Sequence, residues 1–96
     1  MITHIHVGFK VENYERWKEE YDAGIKQRKA AGEISFKVFR NVADPNTVTV
    51  IVVNQGSAEQ VQAFMDSPEL KARMEAAGIT KMCQILIMDE LDSGTH

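Results

Sequence analysis

The stretch that decides the fold is Val48-Thr49-Val50-Ile51-Val52-Val53, inside a strand predicted from residue 47 to 54. Successive side chains of a strand point to opposite faces of a sheet, so three of these residues face each side. Both sets are largely apolar, and a strand that is apolar on both sides is buried on both sides. The segment therefore predicts a sheet whose two faces are both covered.

Three further strands are predicted around this one, over residues 2–11, 34–41 and 81–89. The segment Ala43-Asp44-Pro45-Asn46 is a turn signal, since proline presets φ at the second position of a turn. The second and third strands are therefore predicted to form a hairpin. In the fourth strand the same alternation places Cys83, Ile85 and Ile87 on one side and Met82, Leu86 and Met88 on the other.

Two helical regions separate these strands. The first is predicted over residues 13–31, with Asn13 as its N-cap and Gly32 as its left-handed stop. The second begins at a capping box, Ser57-Ala58-Glu59-Gln60, and is predicted to break near Asp66-Ser67, where Pro68 begins a new helix. The order βαββαβ predicts one α+β domain over residues 1–96, a four-stranded antiparallel sheet with its helices on one face and a frayed tail at 93–96.

Composition excludes several function classes. The net charge of −3 disfavours nucleic acid, which needs a clustered basic surface, and no apolar run is long enough to span a bilayer. The start, Met1-Ile2-Thr3-His4, lacks the pattern of a signal peptide. The one cysteine, Cys83, leaves no internal disulfide, and its apolar flanks predict a buried thiol. We expect a cytoplasmic protein with no membrane or nucleic-acid partner.

The apolar sheet also predicts a partner. Two helical regions of this length cover only one face of a four-stranded sheet, yet the third and fourth strands are apolar on both. Large apolar patches are rare on monomers, and a twofold-symmetric copy is the simplest cover. We therefore expect a homodimer formed through the sheet face.

Several motifs occur together in an order that resembles a known superfamily. They are Val11-Glu12-Asn13-Tyr14-Glu15-Arg16-Trp17-Lys18, Arg28-Lys29-Ala30-Ala31-Gly32, Val38-Phe39-Arg40 with Asp44-Pro45-Asn46, Ser67-Pro68-Glu69-Leu70, and Ala76-Ala77-Gly78. The chain resembles small bacterial proteins of the dimeric α+β barrel superfamily, the cyclase-like relatives of antibiotic biosynthesis monooxygenases. This resemblance covers residues 3 to 91.

The resemblance implies a ferredoxin-like sheet of strand order 4-1-3-2, a barrel shared by two sheets, and a small-molecule pocket between helices and sheet. It implies chemistry without an organic cofactor, of the cyclase or monooxygenase type. Oxygenases of the superfamily use Asn, Trp or His in that pocket. Here the third strand contains no Trp, the second helical region contains no His, and the first strand offers His4 and His6.

The pair His4-Ile5-His6 is the sharpest local feature, because two imidazoles two residues apart on a strand share a face. Three interpretations remain open. The pair could be an acid–base group, since histidine titrates near neutrality. It could bind metal, although the sequence supplies no third ligand and we assign no metal site. It could sit at the dimer seam, hydrogen-bonded to Gln84 or to its symmetry mates.

Aromatic residues on the first helix give a second candidate. Tyr14, Trp17, Tyr21 and Ile25 recur at helical spacing, which is typical of a core stripe and would also serve as the floor of an aromatic ligand pocket. Phe64 faces inward from the second helical region, and with Tyr14, Trp17 and Gln84 it completes the predicted ligand-binding set. The predicted catalytic set is His4 or His6 as base and Tyr21 as orienting donor.

Three functions follow from these residues. The first is a small enzyme without an organic cofactor, of cyclase, isomerase or monooxygenase type, that acts on an apolar or aromatic metabolite. The second is a non-catalytic homodimer that binds a small ligand or is structural. The third is a metal-binding protein that uses the two histidines.

Overall fold

A computed structural model describes residues 1–96 and contains four strands and four helices. Their order is β1 (Ile2–Val11), α1 (Tyr14–Ala23), α2 (Ile25–Ala30), β2 (Glu33–Arg40), β3 (Thr47–Gln55), α3 (Ala58–Met65), α4 (Pro68–Ala76) and β4 (Ile79–Met88). Each predicted helical region is thus a pair of short helices, and the predicted order βαββαβ is confirmed. None of these helices has both the length and the apolar character needed to cross a bilayer.

The four strands form one antiparallel sheet in the order β2-β3-β1-β4. The two central strands pair so that Ile5 lies opposite Val52 and Val7 opposite Val50. This order is the one implied by the family resemblance. It makes β1 and β3 the inner strands, and these are the two whose helix-facing residues are most buried.

The helices cover one face of the sheet, which we call the covered face. Its core contains Ile5, Val7, Phe9, Val11, Val48 and Val50 from the sheet, with Trp17, Val61, Met65 and Ala77 from the helix layer. The opposite side, the open face, carries Ile2, His4, His6, Phe39, Thr49, Ile51, Val53, Leu86 and Met88. On the inner strands β1 and β3 these residues are half-buried, except Ile2, which is exposed. On the outer strands Phe39, Leu86 and Met88 are exposed.

The helix ends follow the sequence signals. The Asn13 side chain accepts a hydrogen bond from the Arg16 amide, and the Ser57–Gln60 capping box is complete. Ser67 caps α4 with Pro68 in its first turn, so the predicted break in the second helical region is confirmed. After α2, Gly32 has a positive φ of 110°, in agreement with its predicted role as a left-handed stop. A Cβ at this position would lie 2.4 Å from the Gln55 carbonyl oxygen.

The first helical region differs from its prediction, because it is broken at Gly24 rather than continuous. Glycine is a poor residue for a helix interior, and here its missing side chain leaves room for the Arg73 guanidinium. A Cβ on Gly24 would lie 2.8 Å from an Arg73 nitrogen. The break shifts the helical phase, so Ile25, which was predicted to face inward, is exposed.

Strand β4 also departs from simple alternation. A bulge pairs Gly8 with Gln84 and Phe9 with Met82, which leaves Cys83 as the extra residue. Cys83 is exposed, so the predicted burial of its thiol is wrong for the single chain. An extra residue resets which face each following side chain takes, and no periodic pattern in the sequence reveals its position.

Candidate functional site

A cavity of about 460 Å³ lies between the helices and the covered face of the sheet. Of its 24 lining residues, 15 are hydrophobic. They are Ile5, Val7, Phe9, Val50, Val52 and Ile79 from the sheet, Trp17 and Tyr21 from α1, Ala31 after α2, and Val61, Phe64, Met65, Leu70, Met74 and Ala77 from α3, α4 and the end of α4. A volume of this size is typical of sites for small organic ligands. The walls favour an apolar body.

Aromatic rings build one side of the cavity. The Trp17 ring stacks on Tyr21 with centroids 4.9 Å apart, and it lies 5.2 Å from the Phe9 ring on β1. Tyr21 in turn meets the edge of Phe36 on β2 at 5.5 Å. Trp17 is only 3% exposed, because the stripe at helical spacing faces the sheet. The aromatic stripe of α1 therefore packs in the core and also lines the cavity.

A charged pair closes the polar end of the cavity. The Arg28 Nε donates to both Glu33 carboxylate oxygens at 3.1 and 3.3 Å, and the two side chains are 13% and 6% exposed. The Arg28 guanidinium also stacks on the Tyr21 ring, 3.6 Å from its centroid, and its Nη1 donates to the Tyr21 carbonyl oxygen. The turn at Gly32 brings Glu33, the first residue of β2, back toward α2, where its carboxylate meets Arg28.

Two buried donor atoms of this cluster have no hydrogen-bond partner. They are the Tyr21 hydroxyl and the Arg28 Nη2, and both residues line the cavity. Buried polar groups in folded proteins are nearly always paired, because an unpaired group costs about 1–3 kcal/mol. Such atoms at the end of an apolar cavity indicate where a ligand oxygen would be held.

Burial changes the acidity of the same groups. Desolvation raises the pKa of Tyr21 to about 12, although the neighbouring Arg28 charge acts in the opposite direction. Desolvation also raises the pKa of the Glu33 carboxyl, against the charge and hydrogen bond of Arg28, which lower it. At neutral pH the Tyr21 hydroxyl is thus a proton donor in hydrogen bonds and not a base.

Ultraviolet titration of the wild-type protein should show a tyrosine ionising at about pH 12. The chain has two tyrosines, so Tyr21→Phe removes this transition and leaves one other. Far-ultraviolet circular dichroism at each pH separates ionisation from unfolding. If the transition near pH 12 persists in Tyr21→Phe, the assignment to the cavity hydroxyl is wrong.

Asn54 is the other buried polar residue at this end of the cavity. Its Nδ2 donates to the Gln55 carbonyl oxygen at 3.1 Å and lies 3.5 Å from that of Ala31. These contacts tie the end of β3 to the segment that follows α2. Asn54 is also one of the residues that line the cavity.

The structure divides the residues predicted from the sequence into two groups. Tyr21, Trp17 and Phe64 line the cavity. Tyr14 does not line it, and packs instead against the core beside Trp17, with the Arg40 guanidinium 4.9 Å from its ring centroid. His4, His6 and Gln84 lie on strands outside the cavity lining, with both histidines on the open face. The predicted combination of a histidine base with Tyr21 is therefore not brought together within one chain.

The histidine pair stands alone as a set of metal-binding side chains. No group of three or more His, Cys, Asp and Glu side chains is placed to hold a metal ion. Across the sheet, His4 lies opposite Val53 and Met88, and His6 lies opposite Ile51 and Leu86. The immediate surroundings of both imidazoles are thus apolar.

Sequence reasoning missed Arg28 and Glu33 as site residues. The sequence offers one signal for Arg28, because it lies seven residues after Tyr21 and would share the face of Tyr14, Trp17 and Tyr21 in an unbroken helix. A charged residue in line with an apolar stripe indicates a buried pair. Nothing in the sequence marks Glu33 as its partner, since the contact depends on the turn between α2 and β2.

Comparison with solved structures identifies the architecture. SnoaB, a cofactor-independent oxygenase from Streptomyces nogalater, superimposes with a TM-score of 0.74 at 11% identity, covering 96% of this chain and 95% of that one. Rv0793 from Mycobacterium tuberculosis gives a TM-score of 0.69 at 13% identity, covering 99% of this chain and 100% of that one. An antibiotic biosynthesis monooxygenase gives 0.65 at 11% identity, covering 96% and 100%.

The chain has the fold of the antibiotic biosynthesis monooxygenases. This is the ferredoxin-like α+β fold that the sequence motifs led us to expect. No protein-family model and no curated protein matches the chain in sequence. At 11–14% identity the similarity to these structures concerns the fold, so the chemistry must be argued from the cavity.

Proposed function

We propose that this protein is an enzyme without an organic cofactor, of the monooxygenase, cyclase or isomerase type, that acts on a small apolar or aromatic metabolite. The observation that carries the proposal is the cavity of about 460 Å³, lined mainly by apolar residues and also by the cluster of Tyr21, Arg28 and Glu33. A pocket with a few convergent polar groups is the usual form of a small-molecule site. SnoaB, whose fold this chain shares, is a cofactor-independent oxygenase, which agrees with this kind of chemistry.

Incubation of the protein with a metabolite extract tests this function. Mass spectrometry follows the composition of the extract. The expected result is that one apolar compound is depleted and that a product appears whose mass identifies the reaction. A gain of oxygen that requires air indicates a monooxygenase, whereas an unchanged mass or loss of water indicates an isomerase or cyclase. Depletion of no compound by the folded protein would contradict the enzyme proposal.

A pair of variants ties the activity to the cavity. Val50→Phe places a ring in the cavity from the covered face, so we expect it to remove turnover. Val42→Phe makes the same change at a fully exposed position after β2, outside the cavity lining and the open face, and should leave the cavity unchanged. Equal turnover by the two variants would show that the reaction occurs elsewhere.

A non-catalytic ligand-binding homodimer is the second candidate. It is favoured by the position of His4 and His6, because neither supplies a base to the cavity of its own chain. A compound that co-purifies with the protein and is never altered would support this alternative. The histidines would then serve only to fix the register of the seam.

We also propose that the open face is the homodimer seam. Ile51 and Val53 are half-buried at its centre, and Leu86 and Met88 extend it to an exposed edge. Burial of apolar surface is the main favourable contribution to the free energy of most protein–protein association, and this face offers such a surface. His4 and His6 lie within the face and would provide the polar contacts that fix the register of two sheets.

Ile51→Lys is expected to convert the dimer into a monomer. An ammonium group buried without a partner costs several kcal/mol, so the dissociation constant should rise by at least ~100-fold. Sedimentation velocity at low micromolar concentration measures the change. Glu19→Lys, which introduces a lysine at an exposed position of α1, is the matched control and should remain dimeric. A folded wild-type protein that sediments at 10.8 kDa would overturn the proposal.

A further inference from the structure

The two histidines of β1 lie on the open face in apolar surroundings. His4 and His6 are both half-buried, although no helix covers this side of the sheet. None of the ion pairs of the chain involves either imidazole. Each imidazole has one strand neighbour on β3 and one on β4, and all four neighbours are apolar: Val53, Met88, Ile51 and Leu86.

The charged side chains that share the open face with the histidines are basic. Lys10 follows them on β1, Lys37 lies opposite Ile51 on the β2 side, and Lys81 of β4 lies opposite Lys10. All three lysines are exposed. Positive charge added to the two imidazoles would therefore add to a face that is already positive.

Acidic side chains border this face and are not paired with the histidines. Asp44, in the turn between β2 and β3, lies 3.9 Å from the Lys10 Nζ. Asp89 and Glu90 directly follow Met88, and both are exposed. No ion pair joins these carboxylates to an imidazole, so a protonated histidine would have no counter-ion on the open face.

We propose that His4 and His6 make the homodimer sensitive to protons, so that two copies associate at neutral pH and separate in mild acid. The histidines act as a pair of titrating groups inside the seam and not as catalytic or metal-binding residues. This inference rests on the proposed homodimer seam, because it names the condition under which that seam opens.

The direction of the effect follows from where the protons can bind. Packing one open face on another removes water from the imidazoles of both copies. A neutral imidazole has one donor and one acceptor for partners across the seam, whereas an imidazolium would be a buried charge without a counter-ion. The dimer therefore binds fewer protons than two separate copies. Association is favoured above the ordinary histidine pKa of about 6.5 and is lost as pH falls below it.

Sedimentation velocity on a dilution series at pH 7.5 and at pH 5.5 measures the effect. The dissociation constant should rise ~100-fold between these two pH values if one histidine per copy must be neutral, and ~10,000-fold if both must be. Far-ultraviolet circular dichroism at each pH shows that the separated copies remain folded. A dissociation constant that is the same at both pH values overturns the proposal.

His4→Gln combined with His6→Gln is the deciding variant, because glutamine keeps a donor and an acceptor but takes up no proton. We expect its dissociation constant to change by less than ~3-fold between the two pH values. His96→Gln is the matched control, since it removes the third histidine of the chain from an exposed position in the tail. It should retain the full pH dependence of the wild type.

The wild-type protein alone provides a second measurement if the double variant does not fold. Dilution calorimetry at pH 6 in buffers of different ionisation enthalpy counts the protons that are bound when the dimer dissociates. We expect about 1.5 to 3 protons per dimer. Dissociation without proton uptake overturns the proposal.

The outcomes distinguish this inference from the seam on which it rests. A dimer that is equally tight at both pH values leaves the seam in place and removes the role of protons. A pH dependence that persists in the folded double variant overturns the assignment to His4 and His6. A folded wild-type monomer at pH 7.5 and low micromolar concentration overturns the seam itself.

Discussion

Arg28→Met is expected to lower the free energy of unfolding by about 3–5 kcal/mol, because it leaves the Glu33 carboxylate buried without its counter-ion. Both side chains are largely buried, at 13% and 6% exposure, so solvent does not screen the loss. Methionine keeps most of the apolar stem of arginine, which limits the change to the charge and its hydrogen bonds. Urea denaturation followed by circular dichroism measures the difference.

A surface ion pair supplies the matched control. On the solvent side of α1 the Lys18 Nζ lies 2.6 Å from the Asp22 Oδ1. Lys18→Met should lower the free energy of unfolding by no more than about 1 kcal/mol. The double variant Arg28→Met with Glu33→Gln should regain part of the loss, since the amide carries no charge. A loss in Arg28→Met no larger than in Lys18→Met would contradict the buried pair.

The deficit of Arg28→Met should also depend on pH. Burial already raises the pKa of Glu33, and removing Arg28 removes both effects that lower it. A carboxyl whose folded pKa is raised binds its proton more tightly in the folded state, so folding is favoured below the unfolded value of 4.5. This advantage is lost as pH rises through the folded pKa. The variant should therefore fall further below the wild type at pH 7 than at pH 4.

Trp17→Ala is expected to cost about 3–5 kcal/mol in the free energy of unfolding, the range for a large aromatic residue removed from a core. Trp17 is 3% exposed and lies against Phe9, Tyr14 and Tyr21, with ring centroids between 4.9 and 5.8 Å. Its removal leaves a void that joins the cavity and withdraws support from the Tyr21 ring. We expect ligand binding to weaken as well.

Two other variants calibrate this measurement. Trp17→Phe keeps a ring against Phe9 and should cost clearly less than the alanine change. Glu19→Ala alters an exposed position of the same helix and should change stability by no more than about 0.5 kcal/mol. Circular dichroism is the appropriate probe, since Trp17 is the only tryptophan and its replacement removes the fluorescence signal. Equal losses in the alanine variants at 17 and 19 would exclude a core role for Trp17.

Local sequence rules were sufficient for the framework of the fold. The period-two pattern of residues 47–54 and the apolar runs around it predicted the four strands, and β1 was predicted with its observed bounds, Ile2–Val11. The caps at Asn13 and Ser57 and the helix start at Pro68 were predicted because a helix start is decided by residues within one helical turn. The first helical region is the exception, because it was predicted as continuous and the structure breaks it at Gly24, a residue of low helix propensity.

The candidate site was predicted only in part. Trp17, Tyr21 and Phe64 were found because an inward stripe faces whatever lies beneath its helix, here the cavity. The histidines were expected beside Tyr21, yet the alternation of β1 that places Ile5 and Val7 on the covered face necessarily places His4 and His6 on the other. The sequence of β1 already indicates this arrangement, since the side with Ile5 and Val7 is apolar and the side with the two histidines is polar.

The sequence by itself determined the strands, the helix starts and the excess of apolar sheet surface, because each depends on residues that are neighbours along the chain. Tertiary structure alone decided that Arg28 meets Glu33 beneath Tyr21 and that a cavity remains between helices and sheet. Contacts of this kind depend on where a turn returns the chain and how far two layers separate, and neither is a property of any short segment.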